Sequence, residues 1–193
     1  MKVEEAVEEL ACFLERHRPK PAKLPSSYLP EPSDVEEAVN YMLFMVSIDH
    51  RTGPRFEAVV NGEPLRGAEL LWKLGELKWK MDRGFFKPSR MSKVSSLEVK
   101  KWLTAPSGAV AKGPELRAQL LRDTAGWLIK LCGGRGLRLV ELASGSCVKL
   151  VELLRPFKAF NDPVAKKAYL LAKLLARSGF MKVASREELQ VPV

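Results

Sequence analysis

Asparagine and glutamine are scarce in this chain, at three and two of its 193 residues. Histidine occurs only at His17 and His50, which excludes a histidine-rich metal site. The three cysteines, Cys12, Cys132 and Cys147, stand far apart and form no CxxC pair. Such spacing argues against a zinc site, an iron–sulfur cluster or a disulfide framework, so buried free thiols are the simple reading. Neither a metal nor a cofactor is expected. No stretch approaches the roughly 18 consecutive apolar residues of a spanning helix. The opening segment, MKVEEAVEELACFLERH, is acidic and amphipathic and unlike a signal peptide. A cytoplasmic protein with no membrane partner is the expectation.

What is abundant is Lys, Arg and Glu, a balance that together with the missing amides reads as thermophilic. Apolar residues make up 46% and charged residues 28%, as in a globular domain. The formal net charge of +9 favours a polyanionic partner. Nucleic acid is the commonest cytoplasmic polyanion, with DNA favoured over RNA; a solvated basic surface is the alternative.

Helical periodicity dominates the chain. Residues 2–17 place Val3, Val7, Leu10, Phe13 and Leu14 on one face. A connector with prolines at 19, 21, 25, 30 and 32 follows, stiff and extended. Residues 1–33 thus form an N-terminal helix and linker ahead of a helical domain over 34–193. Ser33 or Asp34 is placed to cap the next helix, with Asp34 and Glu37 in capping-box spacing. That helix is apolar nearly all round, which predicts a central position in the core. Asn61-Gly62 between short apolar runs predicts a hairpin. Further helices are expected over 67–81, 95–103 (with Ser95 and Glu98 as another capping box), 114–131 behind Pro114, 137–155, and 162–179, and a short turn opens at Ser185 with Glu188. The expected fold class is all-α, a domain of about seven helices with room for two lobes and a cleft, and at most one small hairpin.

The segment DPVAKKAYLLAKLLARSG carries its lysines in two settings. At about 100° per residue, Lys166, Lys173 and Arg177 fall within about 40° of one another and make a basic stripe. Lys167 stands about 100° away, between Leu171 and Leu174 on the apolar side. Asp162 as N-cap and Pro163 as first helical residue would put Lys167 just beyond the first turn. Desolvation and the helix dipole would both disfavour its charged form, and a neutral amine is what Schiff-base chemistry needs. A lysine that snorkels from the core edge into water is the alternative.

PVAKKAYLLAKLLARSG, with LQVPV some residues later, resembles the end of the catalytic motif of helix–hairpin–helix DNA glycosylases. It is nearest the archaeal 8-oxoguanine DNA glycosylase branch, and the similar region spans 157–193. The resemblance implies that Lys167, followed by the small Ala168, attacks the sugar C1′, with Lys166 as the basic residue before it. It implies a DNA-repair N-glycosylase with AP lyase activity on a modified purine. In the family an apolar segment runs on into an Asp that stabilises the developing sugar cation. Val191-Pro192-Val193 resembles that segment, and in the sequence as it stands Asp49 or Asp162 would have to supply the carboxylate. The hairpin position, RPFKAFND, lacks the family's usual Gly-x-Gly, which argues against a backbone phosphate nest there.

SIDHRTGPR groups Asp49, His50, Arg51 and Arg55 where a helix ends. His50 reads as a general acid or, with Arg51, as a cation meeting a helix C-terminus. LLWKLGELKWKMDRGFFKPSR interleaves aromatics with cations, so Trp72 and Trp79 are candidates to stack bases while Lys78 and Lys80 neutralise phosphates. Their seven-residue spacing equally suits core packing. CGGRG offers Arg135 and backbone N–H groups to a phosphate, or simply stops a helix at Gly133. Two functions compete with catalysis. One is a non-catalytic nucleic-acid-binding protein. The other is a helical subunit that meets a protein partner through the connector or the Asn40–Ile48 segment. A monomer is expected.

Overall fold

The computed structural model describes residues 34–182. The helix expected over 2–17, the proline-rich connector, the turn at Ser185 and the Val191-Pro192-Val193 segment lie outside the described residues.

Within them the chain is all-α apart from one hairpin. Helix α1, Val35–Ile48, is followed by strands β1, Glu57–Val60, and β2, Glu63–Arg66. Then come α2 (Gly67–Met81), α3 (Pro88–Met91), α4 (Ser96–Trp102), α5 (Pro114–Cys132), α6 (Gly136–Ala143), α7 (Cys147–Leu154) and α8 (Lys166–Arg177). The strands pair antiparallel with Val60 opposite Glu63. Asn61 and Gly62 both take positive φ, at 54° and 82°, the backbone of a type I′ turn.

Helix α1 is the axis of the packing. Every residue from Ala38 to Ile48 is buried, and α2, α5, α6 and α8 all pack against it. One apolar cluster runs from Val39 on α1 to Met181 after α8. Asp34 caps α1, accepting from the Glu36 N–H at 2.9 Å. Glu37 does not close the box; its carboxylate faces Arg83 at 3.6 Å instead. The box at Ser95 and Glu98 does form, in both directions.

The single helix expected over 137–155 is two helices. Ser144 and Gly145 adopt left-handed backbone, with φ of 51° and 78°, and Ser146 caps the restart by accepting from the Lys149 N–H. A side chain at Gly145 would collide with the Lys182 carbonyl, so the break lets the chain after α8 pass close by. The start of α8 also differs from expectation. Asp162 is not the N-cap; residues 162–165 form a separate turn closed by Ala165 N–H to Asp162 O. The helix begins at Lys166, whose N–H donates to the Asp162 carboxylate at 3.0 Å. Lys167 therefore lies within the first turn.

The glycines of CGGRG end α5 as expected, with Gly133 at φ 62° and its N–H returned to the Ile129 carbonyl. The anion at the following helix start is internal. Glu36 reaches across from α1 and accepts from the Gly136 N–H at 2.5 Å and the Leu137 N–H at 3.2 Å. Asn40 also accepts from Gly136, at 3.1 Å. A carboxylate in that place satisfies orphan donors and meets the positive helix end. Replacing Glu36 with Ala is expected to cost about 1–2 kcal/mol in urea-unfolding free energy, and Glu36→Gln distinctly less.

Candidate active site

The site grows from a problem at the end of α1. A helix leaves its last carbonyls unpaired, and here they are buried. The last turn of α1 carries no basic residue of its own. Cations from two other helices supply the donors. Lys167 on α8 donates its Nζ to the Ser47 carbonyl at 2.6 Å. Arg117 on α5, with no exposed surface, donates Nη1 to the Ile48 carbonyl, Nη2 to that of His50 at 2.6 Å, and Nε to that of Lys112 at 3.1 Å.

These donors hold the short segment that bears Asp49 and His50, both half-buried. The Trp72 indole N–H donates to Asp49 Oδ2 at 2.9 Å, which orients the carboxylate. His50 Nδ1 lies 3.3 Å from the Lys167 Nζ. The Lys167 amine thus shares one niche with a carboxylate and an imidazole more than 100 residues earlier in the sequence.

Burial drives the Lys167 amine down from 10.5 to about 8. Asp49 opposes that shift, Arg117 adds to it, and Asp162 opposes it. With a pKa of about 8, roughly a tenth of the amine is neutral at pH 7, against about three in ten thousand at the ordinary value. His50 falls from 6.5 to about 4, first through burial and then through Lys167, Arg117 and Arg51. Near neutrality its ring is uncharged and can accept from the ammonium or donate to the free amine.

The other sequence candidates fall elsewhere. Lys166 and Arg177 are exposed on α8 and Lys173 is half-buried beside them. Arg135 approaches Glu36 and Glu141, each at 3.9 Å. Lys80 pairs with the buried Glu76 at 2.5 Å, and Lys73 does so at 2.8 Å. Lys78 lies over the Phe85 ring, 4.5 Å from its centroid. Trp72 and Trp79 are only 5% and 4% exposed, so neither ring is free to stack on a base. Core packing is their observed role.

Arg117 escaped sequence reading, although a signal existed. It continues the buried stripe of Ala118, Leu121, Ala125 and Leu128 on α5, so a charge on an apolar face marked it as it marked Lys167. Among the described residues, no group of three or more His, Cys, Asp or Glu side chains could hold a metal ion. No helix there is long and apolar enough to cross a membrane. No protein-family model matches the chain, and no curated protein matches it.

Arg117→Met removes the side-chain donors from the Ile48, His50 and Lys112 carbonyls and is expected to cost about 3 kcal/mol in urea-unfolding free energy, with Arg117→Lys intermediate. The His50 shift carries its own signature. Between pH 6.5 and about 4 the unfolded chain takes up a proton that the folded imidazole resists. The unfolded state then binds more protons, so stability falls as pH drops through this window and levels off above it. Comparing melting temperatures across pH 4–7, His50→Gln should show a shallower decline than the wild type.

Proposed function

We propose that the chain is a DNA-repair-like N-glycosylase with lyase activity on a modified purine, acting through a Schiff base on Lys167. One observation carries this reading: the Lys167 amine is half-buried beside Asp49 and His50, and its pKa lies near 8. The helix–turns–helix arrangement of α7, residues 155–165 and α8 supports it, as does the resemblance of the α8 sequence to the glycosylase motif. So does the net charge of +9.

In this mechanism the target nucleotide leaves the stack, at a cost that is smallest for a damaged base. The neutral Lys167 amine attacks C1′, and the glycosidic electron pair departs with the base, which takes up a proton. That proton is the one the amine loses on bond formation, while the uncharged His50 ring stays within hydrogen-bond reach of the attacking nitrogen. The Asp49 carboxylate, oriented by Trp72, stabilises the positive charge on the sugar. Ring opening gives an imine, loss of the C2′ proton expels the 3′ phosphate, and hydrolysis of the imine returns the lysine.

Borohydride trapping with duplex DNA containing 8-oxoguanine tests the chemistry. A covalent adduct is expected for wild type and none for Lys167→Ala; equal adducts from both proteins would refute the assignment. The trapping rate should rise about tenfold per pH unit from pH 6 towards about 8 and then level off, as the neutral amine fraction does.

A second reading is non-catalytic nucleic-acid binding, and the bond from Lys167 to the Ser47 carbonyl favours it. Capping α1 is a complete structural role for that side chain. Under this reading Lys167→Met loses stability, salt-sensitive DNA binding persists, and no adduct forms from the wild-type protein.

A further inference from the structure

A second feature lies on the far half of α2, away from the Asp49–Lys167 niche. A groove of about 460 Å³ opens between α2 and the segment from α4 to Pro106. Its apolar lining includes Leu74, Leu77, Met81, Phe85 and Trp102. Met81 is 83% exposed at this opening, an unusual position for an apolar side chain. Phe85 and Trp102 are fixed rather than mobile. They meet edge-to-face at 5.2 Å, each also packs against Phe86, and the Trp102 indole N–H donates to the Leu74 carbonyl at 3.1 Å.

Charge surrounds this lining. Lys78, Arg90 and Lys101 face the groove, with Glu98 as the acidic residue among its lining. Glu98 is committed to the N-terminus of α4 by its bonds with Ser95. Arg90 is bonded to Asp82 at 2.5 Å, and it also lies over the Phe85 ring at 4.9 Å. Lys101 is exposed, and Lys78 also lies over the Phe85 ring, 4.5 Å from its centroid. An apolar floor bounded by cations complements a flat, uncharged ring linked to phosphates. The volume lies within the roughly 300–1,000 Å³ of small-molecule sites.

We infer that this groove binds an unpaired nucleotide of a nucleic-acid strand, its base lying on the Leu77–Met81 surface beside the edge of Trp102 and its flanking phosphates meeting Lys78 and Lys101. The inference rests on the nucleic-acid partner proposed above but not on catalysis by Lys167. It also gives the cations of 70–90 a role beside exposed apolar surface, through Lys78 and Met81 instead of Trp72 and Trp79. Base-on-aromatic or base-on-apolar contact with backbone neutralisation is a general means of holding single strands without reading sequence.

The test uses the full chain and fluorescence anisotropy with a labelled oligodeoxythymidylate of about 12 nucleotides. Lys78→Gln/Lys101→Gln should weaken binding roughly tenfold or more at low salt and lower the salt slope by about 1.4, the share of two phosphate contacts. A control pair of exposed lysines outside the groove, Lys130→Gln/Lys182→Gln, makes the same charge change and should weaken binding less than about threefold. A strand of abasic residues should bind wild type about tenfold more weakly than the thymidylate. Three results would each overturn the inference: no thymidylate binding by wild type, groove and control pairs behaving alike, or abasic and thymidylate strands binding equally. None of them bears on the trapping result, which judges the catalytic reading separately.

Discussion

The carbonyls at the buried end of α1, which the helix cannot satisfy from within, are the constraint around which the candidate site is arranged. A helix this apolar can lie at the centre of the core, but its last turn then has no water to turn to. Arg117 and Lys167 answer from α5 and α8, and in doing so they draw three helices to one point. The cost is two cations placed near each other with little solvent. That cost appears as the lowered pKa of both side chains, to about 10 for Arg117 and about 8 for Lys167, with burial the leading cause in each.

Structure and chemistry are therefore coupled in the same side chain. An amine that caps a helix must be desolvated to reach its carbonyl, and desolvation is what frees its lone pair. Arg117 tolerates this because guanidinium stays charged across the working range, so the cap holds whichever state Lys167 adopts. Trp72 plays a related part from α2, fixing Asp49 while filling the core. The other end of α1 shows the mirror image. There Glu36 supplies an anion to the orphan donors at the start of α6, so one helix takes cations from its neighbours and gives an anion to another.

Element boundaries were legible where a local signal is strong. The Asn61-Gly62 turn, the Ser95–Glu98 box, Pro114 at a helix start and Gly133 at its end depend on neighbouring residues alone. Reading failed where a distant contact intervened. Ser144-Gly145 splits a periodic stretch because the chain near Lys182 passes there. Asp162 gives its carboxylate to Lys166 from a preceding turn, three residues before the N-cap position that Ala165 occupies. Glu36 preoccupies the helix start beside Arg135, which the sequence of that loop cannot disclose.

By itself the amino-acid order determined an all-α domain with one hairpin, a wholly buried central helix, and a lysine on the wrong side of an amphipathic one. These follow from periodicity and from local backbone preferences, which act over a few residues. Tertiary structure alone decided what that lysine meets. It set the Lys167 nitrogen against the Ser47 carbonyl and the His50 ring, joined Asp49 to Trp72, and closed Arg117 over the end of α1. It also buried both tryptophans that spacing left ambiguous. Desolvation and hydrogen bonding depend on which surfaces are brought together across the chain, and no run of neighbouring residues carries that information.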